Sequence, residues 1–147
     1  MDATFPEPTA ETNLMDDVET VISSLAEADS AQVSHLEQGC VWRFRYGTAQ
    51  VYVQMTGVTP DDTFTVWSAI LKLPVQNPLE LYQQLLALNW ATTMEARFAI
   101  LDQEVVVVGT RSVMELDPSE IARMITIVAS LADLYDEELQ AKFPAVA

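Results

Sequence analysis

The sequence predicts an α+β fold in the order αβββαββα, a twisted antiparallel sheet with helices packed against it. Three observations carry this reading. Asn77-Pro-Leu-Glu and Asp117-Pro-Ser-Glu are two helix starts of one design: a capping residue, a proline at the first helical position, and a glutamate able to reach back to the cap. Apolar and polar residues elsewhere alternate with period two, as in Val41–Tyr46, where Trp42, Phe44 and Tyr46 oppose Arg43 and Arg45. The strands so marked are joined by short turns, and short turns join antiparallel neighbours.

The elements follow in order. Residues 1–11 hold Pro6 and Pro8 and little to bury, and read as a flexible tail ahead of a single domain over 12–143. A first helix starts at Thr12 or Asn13 as cap and ends near Asp29-Ser30. Its apolar stripe is Leu14, Val18, Val21, Ile22 and Leu25, while Asp16, Asp17, Glu19 and Glu27 face water. Three strands come next: Val41–Tyr46, Gln50–Met55 with Val51, Val53 and Met55 inward, and Thr63–Leu73. The last is apolar on both faces in part, with Phe64, Val66 and Ile70 opposing Trp67, Ala69 and Leu71, which marks a central or bulged strand.

The helix from Pro78 to about Asn89 is apolar over more than one face: Leu79, Leu81, Tyr82, Leu85, Leu86 and Leu88. The sheet can bury one stripe, Leu81, Leu85 and Leu88. Leu79, Tyr82 and Leu86 then need a second cover, either the last helix or a second copy of the chain. Two strands follow, Met94–Leu101 and Glu104–Arg111, turning at Asp102-Gln103. The last helix runs to about Gln140 with Ile121, Met124, Ile125, Val128, Leu131 and Tyr135 as its buried stripe. Asp133, Asp136, Glu137 and Glu138 fall late in it, against the helix dipole, and so are expected in water.

Composition excludes several function classes. The formal net charge is −15 over 147 residues, and that field repels phosphate backbones and anionic lipid, so neither nucleic acid nor a membrane surface is an expected partner. The longest apolar reach, Ile121–Leu134, is interrupted by Arg123 and Asp133 and is too short to span a bilayer. No signal-peptide pattern opens the chain, and the lone Cys40 fits a reducing compartment. The expected location is the cytoplasm.

The chemistry-bearing residues do not form a catalytic or metal constellation. Asp16, Asp17, Glu19, Asp61, Asp62 and Asp133–Glu138 are clustered acids on predicted helix faces or in a turn, where a solvated face is the simpler reading. Asp61-Asp62 lacks the surrounding ligand spacing of a calcium loop. His35 and Cys40 are the one imidazole and the one thiol, with no glycine elbow or helix N-terminus to activate the sulfur, so Cys40 reads as a packed small hydrophobe. No glycine-rich phosphate loop is present. Trp42, Trp67 and Trp90 are aromatic anchors, with Trp90, at the helix exit, the best interface candidate. Arg43, Arg45, Arg97 and Arg111 project from strands and are expected to pair with local acids, the alternative being an exposed arginine row that grips a partner carboxylate. No catalytic residue, cofactor or metal is therefore expected.

Leu85-Leu-Ala-Leu-Asn-Trp90, Ala96-Arg-Phe-Ala-Ile-Leu-Asp102, Glu104-Val-Val-Val107, Leu116-Asp-Pro-Ser-Glu120 and Ala129-Ser-Leu-Ala-Asp-Leu-Tyr-Asp136 resemble the bacterial YbjN-domain proteins. These are packing motifs, strongest over about Leu71–Leu139. The resemblance implies the fold of the type III secretion chaperones and a role in sensory-transduction regulation, with no catalytic residues. The related chaperones are acidic homodimers that hold partner segments without ATP. The expectation is thus a non-enzymatic protein-binding module, adaptor- or chaperone-like or regulatory, forming a homodimer and binding an unidentified protein. Leu79, Tyr82, Leu86 and Trp90 are its candidate interface. The alternative is a sensory regulator with a small-ligand pocket between helices and sheet.

Overall fold

A computed structural model describes residues 10–37 and 39–146 of the chain. Three helices and six strands follow in the order α1 (Ala10–Leu25), β1 (Gln32–His35), β2 (Cys40–Tyr46), β3 (Ala49–Met55), β4 (Thr63–Lys72), α2 (Pro78–Ala91), β5 (Arg97–Leu101), β6 (Glu104–Ser112) and α3 (Pro118–Lys142). The strands form one sheet in the order β1-β2-β3-β4-β6-β5, and every neighbouring pair is antiparallel. The fold is α+β, as the alternation and the short turns require. Residues 1–9, most of the expected tail, lie outside the described part, and α1 begins at Ala10.

The first correction is a sixth strand. The sequence reads Gln32–His35 as connector because it has no apolar alternation, and all four residues are indeed exposed. Backbone pairing makes β1, from Gln32 opposite Arg43 to His35 opposite Cys40, with the Arg43 guanidinium also donating to the Gln32 side chain. An edge strand of this kind leaves no hydrophobic pattern to read.

The core lies between one face of the sheet and the helices. Phe44, Val51, Val53, Met55, Phe64, Val66, Val105 and Val107 point to it, each on the inward phase of its strand. The long helix α3 lies across β4, β3, β6 and β2, and α1 packs on α3 and β2. The inward side of α3 is broader than the expected stripe: Ala129 and Ala132 are buried alongside Ile121, Met124, Ile125, Val128 and Leu139. Leu131 and Tyr135 are only half-buried. Small side chains let the helix approach the sheet, and Gly109 on β6 leaves space that the Met124 thioether fills. Each fully buried Phe, Leu or Ile here contributes roughly 1.5–3 kcal/mol through lost apolar exposure.

The expected bulge and the central placement of the third predicted strand both occur. The strand is β4, an inner member of the sheet, and its register with β6 shifts between Ala69 and Leu71. The β5–β6 turn has Asp102 at φ 48 and Gln103 at φ 66, the paired positive dihedrals a two-residue hairpin needs. The β5 strand is shorter than the expected Met94–Leu101 because Met94 has φ 55 and the Ala96 amide donates to the Thr93 carbonyl at 3.0 Å, turning the chain before Arg97.

The two helix starts behave differently. Asp117 caps α3 as expected, its carboxylate accepting from the Glu120 amide at 2.9 Å. Asn77 sits in the left-handed region at φ 55 and makes no side-chain cap bond, a correction to the capping expectation. A side-chain cap needs an extended backbone. Here the Gln76 amide is held by the Pro144 carbonyl at 2.9 Å and Val75 bridges Ala145, so the chain must reverse abruptly at Asn77. Glu80 lies 3.8 Å from the Lys142 ammonium rather than reaching back to the cap.

Of the late acids of α3, Glu137 and Glu138 are exposed as expected, whereas Asp133 and Asp136 are not free in water, which is the remaining correction. Asp136 is buried, not solvated. It accepts from the Thr48 hydroxyl at 2.6 Å and from the Glu137 amide at 2.6 Å. Asp133 accepts from the Thr48 amide at 2.9 Å. These carboxylates are thus satisfied by the β2–β3 turn, where Gly47 takes φ +57 and leaves no side chain in the way of Asp133. Among the described residues no helix is long and apolar enough to cross a membrane.

Candidate functional site

α2 stands at the β5 end of the sheet and continues the helical layer past the last strand. Its inward side chains are Leu81 and Leu85, both buried, with Leu88 half-buried. The third helix ties down one flank: the Lys142 ammonium donates to the Gln84 side-chain oxygen at 2.8 Å. Asn89 anchors the helix to the strand. Its amide nitrogen donates to the Phe98 carbonyl at 3.2 Å and its oxygen accepts from the Phe98 amide at 2.7 Å. That bracket occupies backbone groups on the outer side of β5, the side away from β6, as a partner strand would.

Residues 79, 82, 86 and 90 recur at helical spacing and share the opposite side of α2. Leu79 and Leu86 are each 69% exposed, Tyr82 37% and Trp90 93%. The row is about 16 Å long at the helical rise per residue. It therefore has no cover from α3. Beyond it, Met94, Ile100 and Leu101 are also exposed. A cleft of about 280 Å³ runs between helix and strand, lined by Tyr82, Leu85, Leu86, Asn89, Phe98 and Ile100 among others. The structure thus sets the predicted residues Leu79, Tyr82, Leu86 and Trp90 in one row. Sequence reasoning missed Asn89 and Ile100, which join the row to a strand edge. The polar Asn89 inside an apolar run was the available signal for the first. Glu80 is the one charged residue of α2, so this surface is close to neutral in a strongly acidic chain.

The other candidates are placed as follows. His35 and Cys40 face each other across β1 and β2, with the thiol sulfur 3.4 Å from Nδ1. Burial, and then the Glu19 carboxylate, push the Cys40 thiol above its ordinary value of 9.0, the opposite of what a nucleophile needs. Trp42 is core, its indole N–H donating to Glu19 at 3.3 Å. Asp62 is held below its ordinary 3.8 by the Thr59 hydroxyl, the Thr59 amide and the Thr56 hydroxyl. These bonds make it the organiser of the β3–β4 turn. Among the described residues no three His, Cys, Asp or Glu side chains converge as a metal site would need. Arg111 pairs with Glu120, but Arg43, Arg45 and Arg97 have no acidic partner among the described residues, against expectation.

The fold and this surface define a class: an antiparallel α+β sheet of the type III secretion chaperone kind, with an exposed apolar row on the helix that brackets its outer strand. The chain belongs to the YbjN family, described as "Putative bacterial sensory transduction regulator", whose profile matches residues 16–141. Among solved structures it is similar to a chain in the crystal structure of the ExsC–ExsE complex, with a TM-score of 0.54 at 7% identity, covering 86% of this chain and 93% of that one. At that identity the likeness is one of fold. No curated protein matches the sequence.

Proposed function

We propose that residues 12–143 form one YbjN-type domain that works as a non-enzymatic protein-binding module, adaptor- or chaperone-like or regulatory. In this reading it is an acidic cytosolic homodimer. The observation that carries the reading is the uncovered row Leu79, Tyr82, Leu86 and Trp90 beside the outer edge of β5. Monomeric proteins rarely leave contiguous apolar surface beyond a few hundred Å² unpartnered. A second copy of the row is a natural cover, because a two-fold interface is self-complementary and this one holds almost no charge to repel itself. Binding of a further protein is supported by the family's description as regulators and by the likeness to a protein known from a complex.

Affinity capture under native conditions tests the protein-binding half. The wild type is expected to retain a further protein at near-stoichiometric amount, beyond a second copy of itself. Nothing retained above background would count against the reading.

A further inference from the structure

The charge of this chain is sorted between the two faces of the sheet. The six strands contain a single acidic residue, Glu104, although the chain has 22 acids. Of the seven bases, Arg111, Arg123 and Lys142 are in ion pairs with Glu120, Glu95 and Glu80. The other four, Arg43, Arg45, Lys72 and Arg97, form no ion pair among the described residues, and strand register places all four on the face turned away from the helices, Lys72 opposite Glu104. One continuous rung crosses the sheet on that face: Gln32, Arg43, Tyr52, Trp67, Val108 and Arg97. In its middle Tyr52 and Trp67 stack at 5.3 Å with their planes 14° apart. Beside them opens a cleft of about 440 Å³ lined by Tyr52, Trp67, Leu101 and Val106 and by the carboxylate-bearing Asp102 and Glu104, so the positive charge of this face lies along the Arg43–Arg97 rung and not in the cleft. Arg43 and Arg97 are four strand spacings apart, roughly 19 Å.

We infer that this open face docks an extended acidic peptide segment of a partner protein, lying across the strands. Its apolar or aromatic side chains meet the Tyr52–Trp67 pair and its carboxylates meet Arg43 and Arg97. The inference names the chemistry of the partner in the protein-binding reading above and uses a surface separate from α2. Charge complementarity selects the occupant. Arginines without a carboxylate partner are bidentate donors for carboxylates, and the Gln32 side chain that accepts from Arg43 leaves that charge uncompensated. Tyr and Trp give contact area with little rotamer entropy to lose, as at binding hot spots. A peptide with a few carboxylates meets this local positive patch, whereas a long polyanion also meets the field of a −15 protein. At about 3.3 Å per residue, carboxylates about six positions apart match the separation of the two arginines.

The test is fluorescence anisotropy with full-length protein and a labelled peptide carrying glutamates about six positions apart, with Phe, Leu and Pro between them. Its glutamine analogue and a single-stranded oligonucleotide of equal charge complete the set. The peptide is expected to bind, and more weakly as salt rises. Replacing both Arg43→Gln and Arg97→Gln should weaken it about tenfold, as should the glutamine analogue, from two lost exposed charge contacts. Arg123→Gln, which removes a base already paired elsewhere, should leave it unchanged. No binding up to about 1 mM, equal binding of the glutamine analogue, an equal loss with Arg123→Gln, or tighter binding of the oligonucleotide would each overturn the inference. Light scattering on the same samples separates the two surfaces, because the arginine variants should keep the wild-type mass whether or not the peptide binds.

Discussion

Thr48 serves two carboxylates of a distant helix. Its hydroxyl is 2.6 Å from Asp136 and 3.1 Å from Asp133, residues 88 and 85 positions along the chain. Asp136 is buried, so Thr48→Val would leave it short of a donor. The expected loss is about 1–3 kcal/mol, read as a lower urea midpoint, with Thr48→Ser retaining most of the stability. Asp62 sets a second expectation, this one in pH. Its folded carboxyl titrates below 3.8 because Thr59 and Thr56 donate to the charged form. Its contribution is therefore present above about pH 4 and is lost as pH falls through the folded value. The stability gap between wild type and Asp62→Asn should be open at neutral pH and close in acid, followed by urea midpoints across pH. Neither arrangement was legible in the sequence. Acids late in a helix read as solvated because their partner is far along the chain, and no local spacing encodes it.

At the level of elements, the two proline-led helix starts look alike in sequence and differ in physics. Asp117 is extended and accepts a cap bond, whereas Asn77 is left-handed and accepts none. Asp117→Gly should lower stability, and Asn77→Gly should be neutral or stabilising because glycine adopts positive φ without strain. Thermal unfolding of the two variants distinguishes them. Asn89 makes a further case. Its bracket on Phe98 holds α2 to the outer strand, so Asn89→Ala should cost about 1–2 kcal/mol and speed exchange of the Phe98 amide. The alternation in β2, β3 and β4 and the over-apolar run of α2 were legible because each buries a periodic face. The strand β1 was not, since all four residues of Gln32–His35 are exposed and leave no buried face to read. The left-handed turn at Asn77 was hidden for a related reason: the C-terminal segment that forces it, at Pro144 and Ala145, is remote in sequence.

At the scale of the whole molecule, three surfaces have three characters: an acidic helical side, a basic aromatic sheet face, and a nearly neutral apolar helix at one end. The last was the part of the candidate site that the sequence showed, through six large apolar residues on a helix with one sheet to cover it. Its relation to the β5 edge required the strand order β4-β6-β5, which local patterns do not specify. In the proposed homodimer that end meets a second copy of itself. Light scattering across concentration, on the wild type and on Tyr82→Glu and Leu86→Glu, tests this most directly. Both positions are at least 37% exposed in the single chain, so the variants should fold, with unchanged circular dichroism. The expected result is a wild-type dimer and two folded monomers. A wild type that is monomeric at high micromolar concentration, or variants that unfold outright, would contradict it.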